Sequence, residues 1–217
     1  MTDVKICGLT RPQDVELACD LGAAYLGFNF AAESPRRVSP AAARELARAG
    51  KPAAARVGVF IAESQALIRE AIEAAGLDLV QIHRPLRETD LDLPCPVLAV
   101  ARLERGSAAA PEERLLARCR LLLFDAEVPG RPGGTGETLD WNALAGRRWG
   151  VPVMLAGGLD PENVAEAIGR VRPAAVDVAS GVESSPGIKD PKKMRRFFEA
   201  VRRAGARLSL SAGEARR

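Results

Sequence analysis

The residues able to do chemistry in this chain are a cysteine, a lysine, two aspartates, an arginine and a set of glycine turns. Val4-Lys5-Ile6-Cys7-Gly8 reads as a short β-strand ending in a thiol, with a helix signal directly after it. At that lip a cysteine is badly placed for packing and well placed for reaction, as a nucleophile or a general base. The competing reading is a small buried hydrophobe, the usual fate of a free cysteine. A thiol needs a cation or aligned backbone donors to ionise near neutral pH. Lys5 has the strand parity of Cys7, so the two side chains would share a face. The alternative for Lys5 is a lysine held by a carboxylate such as Asp177, which lies inside a later strand.

Asp125 follows Leu121-Leu122-Leu123-Phe124. A carboxylate at the end of so apolar a run is partly desolvated, which raises its pKa and suits a general acid. A loop-fixing aspartate is the alternative. Arg36 can pair bidentately with a carboxylate or a phosphate, or sit on the surface. Leu155-Ala156-Gly157-Gly158 and Ala179-Ser180-Gly181 end two successive late strands. Such turns let backbone N–H groups approach a dianion, so Gly157, Gly158, Ser180 and Gly181 form a candidate phosphate site. Gly133-Gly134-Thr135-Gly136 is a further flexible element that could close over a ligand. His83, the only histidine, is followed by Arg84-Pro85 and is read as structural.

These groups need a scaffold that gathers strand ends, and the chain alternates β-rich runs with helical patterns throughout. Strands are predicted at Val4–Cys7, Tyr25–Asn29, Arg56–Phe60, Leu79–Ile82, Val97–Ala101, Leu121–Asp125, Val153–Ala156 and Val176–Ala179. Most are continuous apolar runs, as parallel strands covered on both faces require. Helix starts are marked by Thr10-Arg11-Pro12, by Ser39-Pro40 and Asp160-Pro161-Glu162-Asn163, each a cap with a proline at the first helical position, and by Asp190-Pro191. Eight β/α units in this length predict a single α/β domain, a (β/α)8 TIM barrel spanning residues 1–204. A doubly wound open sheet is the runner-up, but it would carry fewer strands and a glycine-rich first turn. Residues 205–217 lack clear periodicity and are expected to form a disordered C-terminal extension. In a barrel the active site lies at the C-terminal strand ends, where Phe60 is expected to form an apolar wall.

Composition narrows the function classes. Net charge is only +3 and aromatics make up 4%, which disfavours a nucleic-acid stacking surface. No apolar run approaches a membrane span, and Asp3 and Lys5 interrupt any secretory signal, so a cytoplasmic protein is expected. Cys7, Cys19, Cys95 and Cys119 are far apart, which argues against a disulfide framework and, with one histidine, against a metal site.

Taken together, several segments resemble the phosphoribosylanthranilate isomerases of tryptophan biosynthesis. They are KICGLTRPQD at 5–14, LGFNF at 26–30, SPRRVSP at 34–40, RVGVF at 56–60, GGTGETLDW at 133–141, AGGLDPENV at 156–164, AVDVASGVE at 175–183 and PGIKD at 186–190. The resemblance covers residues 3–200 and implies a monomeric or homodimeric barrel acting on a phosphosugar without a cofactor. The implied reaction is an Amadori rearrangement of N-(5-phosphoribosyl)anthranilate. By resemblance Asp125 is the general acid, Cys7 the general base, Arg36 the carboxylate anchor, and the glycine turns hold the phosphate.

The chain departs from that pattern in its fourth and fifth units. Arg84-Pro85 stand where the family usually has glycine and acidic residues, and little chain is left for a fourth helix before Pro94. The fifth strand lacks the lysine often found there. A shortened or absent fourth helix and an active enzyme are expected. Rival readings are an aldose–ketose isomerase of histidine biosynthesis, which resembles a scheme with two aspartates, and a non-catalytic phosphosugar-binding barrel.

Overall fold

The computed structural model describes residues 1–50, 53–104, 107–109, 111–126 and 141–214. Its core is a ring of parallel strands: β1 (Asp3–Ile6), β2 (Tyr25–Asn29), β3 (Ala55–Phe60), β4 (Leu79–Ile82), β5 (Val97–Glu104), β7 (Leu121–Ala126), β8 (Val153–Leu155) and β9 (Ala175–Val178). Their order is β4-β3-β2-β1-β9-β8-β7-β5, and pairing of β4 with β5 closes the barrel. All eight predicted strands are present, within a few residues of their predicted ends.

Two apolar layers follow from strand parity. One face of the strands points inward, where Leu98, Leu121, Leu123, Met154, Ala156 and Ala175 fill the interior. The other face, including Ile6, Phe28, Val80, Leu122, Phe124 and Val176, packs under the helices in the larger cluster. The helices are α1 (Pro12–Leu21), α2 (Pro40–Arg48), α3 (Gln65–Ala75), α4 (Glu113–Leu116), α5 (Val164–Val171) and α6 (Pro191–Glu214). Ser39 caps α2, accepting the Ala42 N–H at 3.1 Å, and the Asp190 carboxylate accepts from Lys192 and Lys193 at the start of α6. Such caps are each worth about 1 kcal/mol.

The fourth unit is reduced as expected. A short 3-10 helix, Glu88–Asp92, replaces a full α-helix between β4 and β5. Arg84 explains how so short a connection is held. It grips Asp90 bidentately, both bonds at 2.7 Å, and Asp90 also accepts the Arg87 N–H at 2.8 Å. Beyond Ala99, β5 outlasts its β4 pairing, and β6 (Ser107–Ala109) pairs antiparallel with its upper end. This hairpin was not legible in the sequence; it covers a strand edge that would otherwise stand open.

Three expectations need correction. The last helix continues through Gly205 to Glu214, past the boundary expected at residue 204, because Ala and Leu sustain it and Leu208 packs on the core. Asp160 lies before α5 rather than at its cap. Its carboxylate accepts the N–H groups of Glu162 and Asn163 in a preceding turn, and the helix begins at Val164. Phe60 shares the outward parity of Gly58 and stacks on Phe30 at 5.1 Å under the helices, so it does not face the site.

Candidate active site

Cys7 follows β1 directly, and its N–H donates to the Val178 carbonyl at 2.9 Å. Lys5 sits one inward position below it and forms a 2.9 Å ion pair with Asp177, its register partner on β9. The two sequence readings of Lys5 therefore hold together: it shares the face of Cys7 and it is held by Asp177. Gly27 makes this arrangement possible. A Cβ there would stand 2.9 Å from the Cys7 Cα and 3.0 Å from its Sγ. Burial pushes the Cys7 thiol pKa up; the charges of Lys5 and Lys189 pull it down, while Asp177 adds to the rise.

Asp125 stands near the end of β7 with the inward parity of Leu121 and Leu123, and is partly exposed. Its apolar approach thus ends at the open lip of the barrel, where the carboxylate is half-buried. His83 stands at the same lip: its Nδ1 is 4.0 Å from the Asp125 Oδ2, and its Nε2 lies 2.6 Å from the Gln81 amide nitrogen. The tautomer of the ring sets which partner donates in the contact with Gln81. Sequence reasoning set His83 aside. Its inward parity with the buried Gln81, just past a strand end, was the available signal.

Arg36 lies over Gly8, where a Cβ would meet its side chain at 2.5 Å. It is not an unengaged surface group. Its Nε and Nη2 donate to the two carboxylate oxygens of Glu183, at 2.9 and 2.6 Å. Glu183 in turn accepts from the Lys189 ammonium at 2.8 Å. Lys189 is only 1% exposed, and it also donates to the carbonyls of Cys7 and Ala179. It thereby ties the ends of the first and last barrel strands together. Burial lowers the Lys189 pKa, against the opposing pull of Glu183. Burial would raise the Glu183 pKa, but Arg36 and Lys189 hold it below the usual value. Lys189 and Glu183 were missed as functional positions, because nothing local marks a lysine in a two-stranded hairpin (β10, Glu183–Ser185, with β11, Ile188–Lys189) as buried.

The glycine turns meet at the lip. Gly157 and Gly158 both adopt positive φ, 80° and 64°, which favours glycine. Asn163 fixes this turn, donating to the Gly158 carbonyl at 2.8 Å and accepting the Asp160 N–H at 2.9 Å. Gly181 packs on it so closely that a Cβ would fall 1.9 Å from the Leu159 carbonyl oxygen. Ser180 and Gly181 belong to a single 3-10 turn, Ser180–Val182. The structure therefore gathers Cys7, Asp125, Arg36, Gly157, Gly158, Ser180 and Gly181 at one end of the barrel. The glycine loop 133–136 lies outside the described residues.

Fold and site together define a (β/α)8-barrel protein with ionisable groups and adjoining glycine turns at its C-terminal lip. Residues 4–200 match the family model described as N-(5'phosphoribosyl)anthranilate (PRA) isomerase, and the chain belongs to that family. The N-(5'-phosphoribosyl)anthranilate isomerase of Paramagnetospirillum magneticum is 41% identical over 208 residues, covering 92% of this chain and 97% of that protein. The crystal structure of phosphoribosyl anthranilate isomerase from Thermus thermophilus superposes with a TM-score of 0.80 at 36% identity, covering 92% of this chain and 98% of the other. Another, of the isomerase in complex with reduced 1-(o-carboxyphenylamino)-1-deoxyribulose 5-phosphate, gives 0.77 at 32% identity, covering 93% and 99%.

Proposed function

We propose that this chain catalyses the Amadori rearrangement of N-(5-phosphoribosyl)anthranilate to 1-(2-carboxyphenylamino)-1-deoxyribulose 5-phosphate in tryptophan biosynthesis. Family membership over residues 4–200 is the observation that carries the reading. The geometry supplies groups suited to each step. Asp125 protonates the furanose ring oxygen and the ring opens to a Schiff base. Cys7 then removes the C2′ proton, giving an enolamine that tautomerises to the ketone. The substrate is oxidised at one carbon and reduced at its neighbour, so electrons balance within the molecule and no cofactor enters.

The positive charge of the protonated Schiff base favours the Cys7 thiolate when it is needed, since a nearby cation stabilises the ionised thiol. Arg36 takes the anthranilate carboxylate beside its bond to Glu183. The N–H groups of the turns at Gly157, Gly158, Ser180 and Gly181 take the phosphate. The barrel acts as a monomer or a homodimer in the cytoplasm. Among the described residues no helix is long and apolar enough to cross a membrane. A steady-state fluorescence assay of phosphoribosylanthranilate consumption tests the reading. Turnover by the purified protein is expected; product binding without turnover would favour a non-catalytic phosphosugar-binding barrel.

A further inference from the structure

Below the Cys7 thiol the barrel interior holds a charge pair that the reaction scheme leaves without a role. Lys5 is 0% exposed and Asp177 7%, and each is a costly tenant of a largely apolar interior. An apolar pair of similar volume would fill the same space without the desolvation cost. The pair is also placed against the sulfur. A single point, where a Gly27 Cβ would stand, lies 3.0 Å from the Cys7 Sγ and 3.2 Å from the Lys5 Nζ. The Asp177 Oδ2 binds Lys5 at 2.9 Å, while its Oδ1 is buried with no hydrogen-bond partner among the described residues.

The charged groups around Cys7 are Lys5 on its own strand, Asp177 on β9, Lys189 on β11, and Arg36. Lys189 and Arg36 already share Glu183 as a counter-ion. Lys189 meets Cys7 through the main-chain carbonyl. Lys5 is the cation that meets the side chain. Burial opposes its charge, but Asp177 and Cys7 outweigh burial and keep its pKa above the usual lysine value.

We infer that Lys5 is a positioning residue for Cys7: its ammonium, aimed and kept charged by Asp177, is the counter-ion of the thiolate that removes the substrate's carbon-bound proton. The inference rests on the proposed role of Cys7 as base. The resting thiol gives its proton to solvent at the lip, the thiolate takes the C2′ proton and becomes a thiol again, and Lys5 keeps its own proton throughout.

The test follows Cys7 alkylation by iodoacetamide against pH, read by mass spectrometry of the Cys7 peptide, alongside the pH profile of kcat/KM. Two variants are compared with wild type. The double variant Lys5→Met/Asp177→Leu removes both charges together and leaves no unpaired carboxylate. Lys5→Gln retains a donor for Asp177 and serves if the double variant does not fold. Both alkylation midpoints are expected to rise, further for Lys5→Gln because the Asp177 charge remains. The kcat/KM at neutral pH should fall about tenfold for each pH unit by which the midpoint moves. An unmoved midpoint in a folded variant overturns the inference, since a merely structural lysine would change stability alone. Failure of the underlying reading looks different: Cys7→Ala would then keep its turnover, whatever the alkylation midpoints do.

Discussion

Glu183 holds Arg36 from both sides of its carboxylate, with bonds of 2.9 Å to Nε and 2.6 Å to Nη2. The guanidinium is therefore fixed over Gly8 before any substrate arrives, and its orientation need not be ordered on binding. Replacing Arg36 by Ala should raise KM about ten- to a hundredfold with kcat changed less, the range for losing a charge-assisted hydrogen bond. Arg36→Lys should also raise KM, because an ammonium cannot reproduce the bidentate grip. Steady-state kinetics decide; an unchanged KM would remove Arg36 from carboxylate binding.

Cys7 and Asp125 stand at the same lip, and each is assigned one proton transfer. Cys7→Ala and Asp125→Asn should each lower kcat at least ~10²-fold, typical of losing a positioned acid or base. The pH profile carries a second signature. A base must be deprotonated to act, and burial pushes the Cys7 thiol above its usual 9.0. In Asp125→Asn, where no acid titrates against it, the residual kcat/KM should therefore climb with pH through neutrality towards an alkaline midpoint. A profile of that variant that already falls above neutral pH would contradict Cys7 as the titrating base.

Barrel topology was legible because parallel strands announce themselves as apolar runs, and β2 and β4 match their predicted spans residue for residue. Knowing the strand ends is enough to list Cys7, Asp125 and the glycine turns. What stayed hidden was long-range partnering. Arg36 and Glu183 are 147 residues apart in sequence, and Lys189 reaches Cys7 across 182. Nothing local distinguishes such residues from a solvated surface. Phe60 was misplaced for a simpler reason: its parity relative to Gly27 follows only from the register of β2 against β3.

The glycine turns make a prediction separate from phosphate binding. Gly181→Ala would drive a methyl group into the Leu159 carbonyl, at 1.9 Å, so the backbone must shift. A loss of about 1–3 kcal/mol is expected in denaturant unfolding, the usual cost of overpacking, together with a raised KM. Wild-type stability and KM in this variant would show that the two turns are not packed as described.

Asp90 gives a pH-dependent term in stability. Burial alone would raise its pKa, but the Arg84 fork and the Arg87 N–H hold it below the usual carboxylate value. A depressed carboxylate stabilises the fold above its unfolded pKa, about 3.9, and that contribution is lost as pH falls through the folded value. Asp90→Asn should therefore be less stable than wild type at neutral pH, with the gap closing in acid. Urea melts across this range test it; a gap that does not change with pH would show that the Arg84–Asp90 pair is not the cause.

The most direct test of the whole account is single-substrate turnover of phosphoribosylanthranilate, followed by loss of its fluorescence, with wild type, Cys7→Ala and Asp125→Asn side by side. Turnover by wild type and a loss of at least ~10²-fold in each variant are expected, with product binding retained in both. Wild-type protein that binds product but does not consume substrate, or variants that turn over at the wild-type rate, would contradict it.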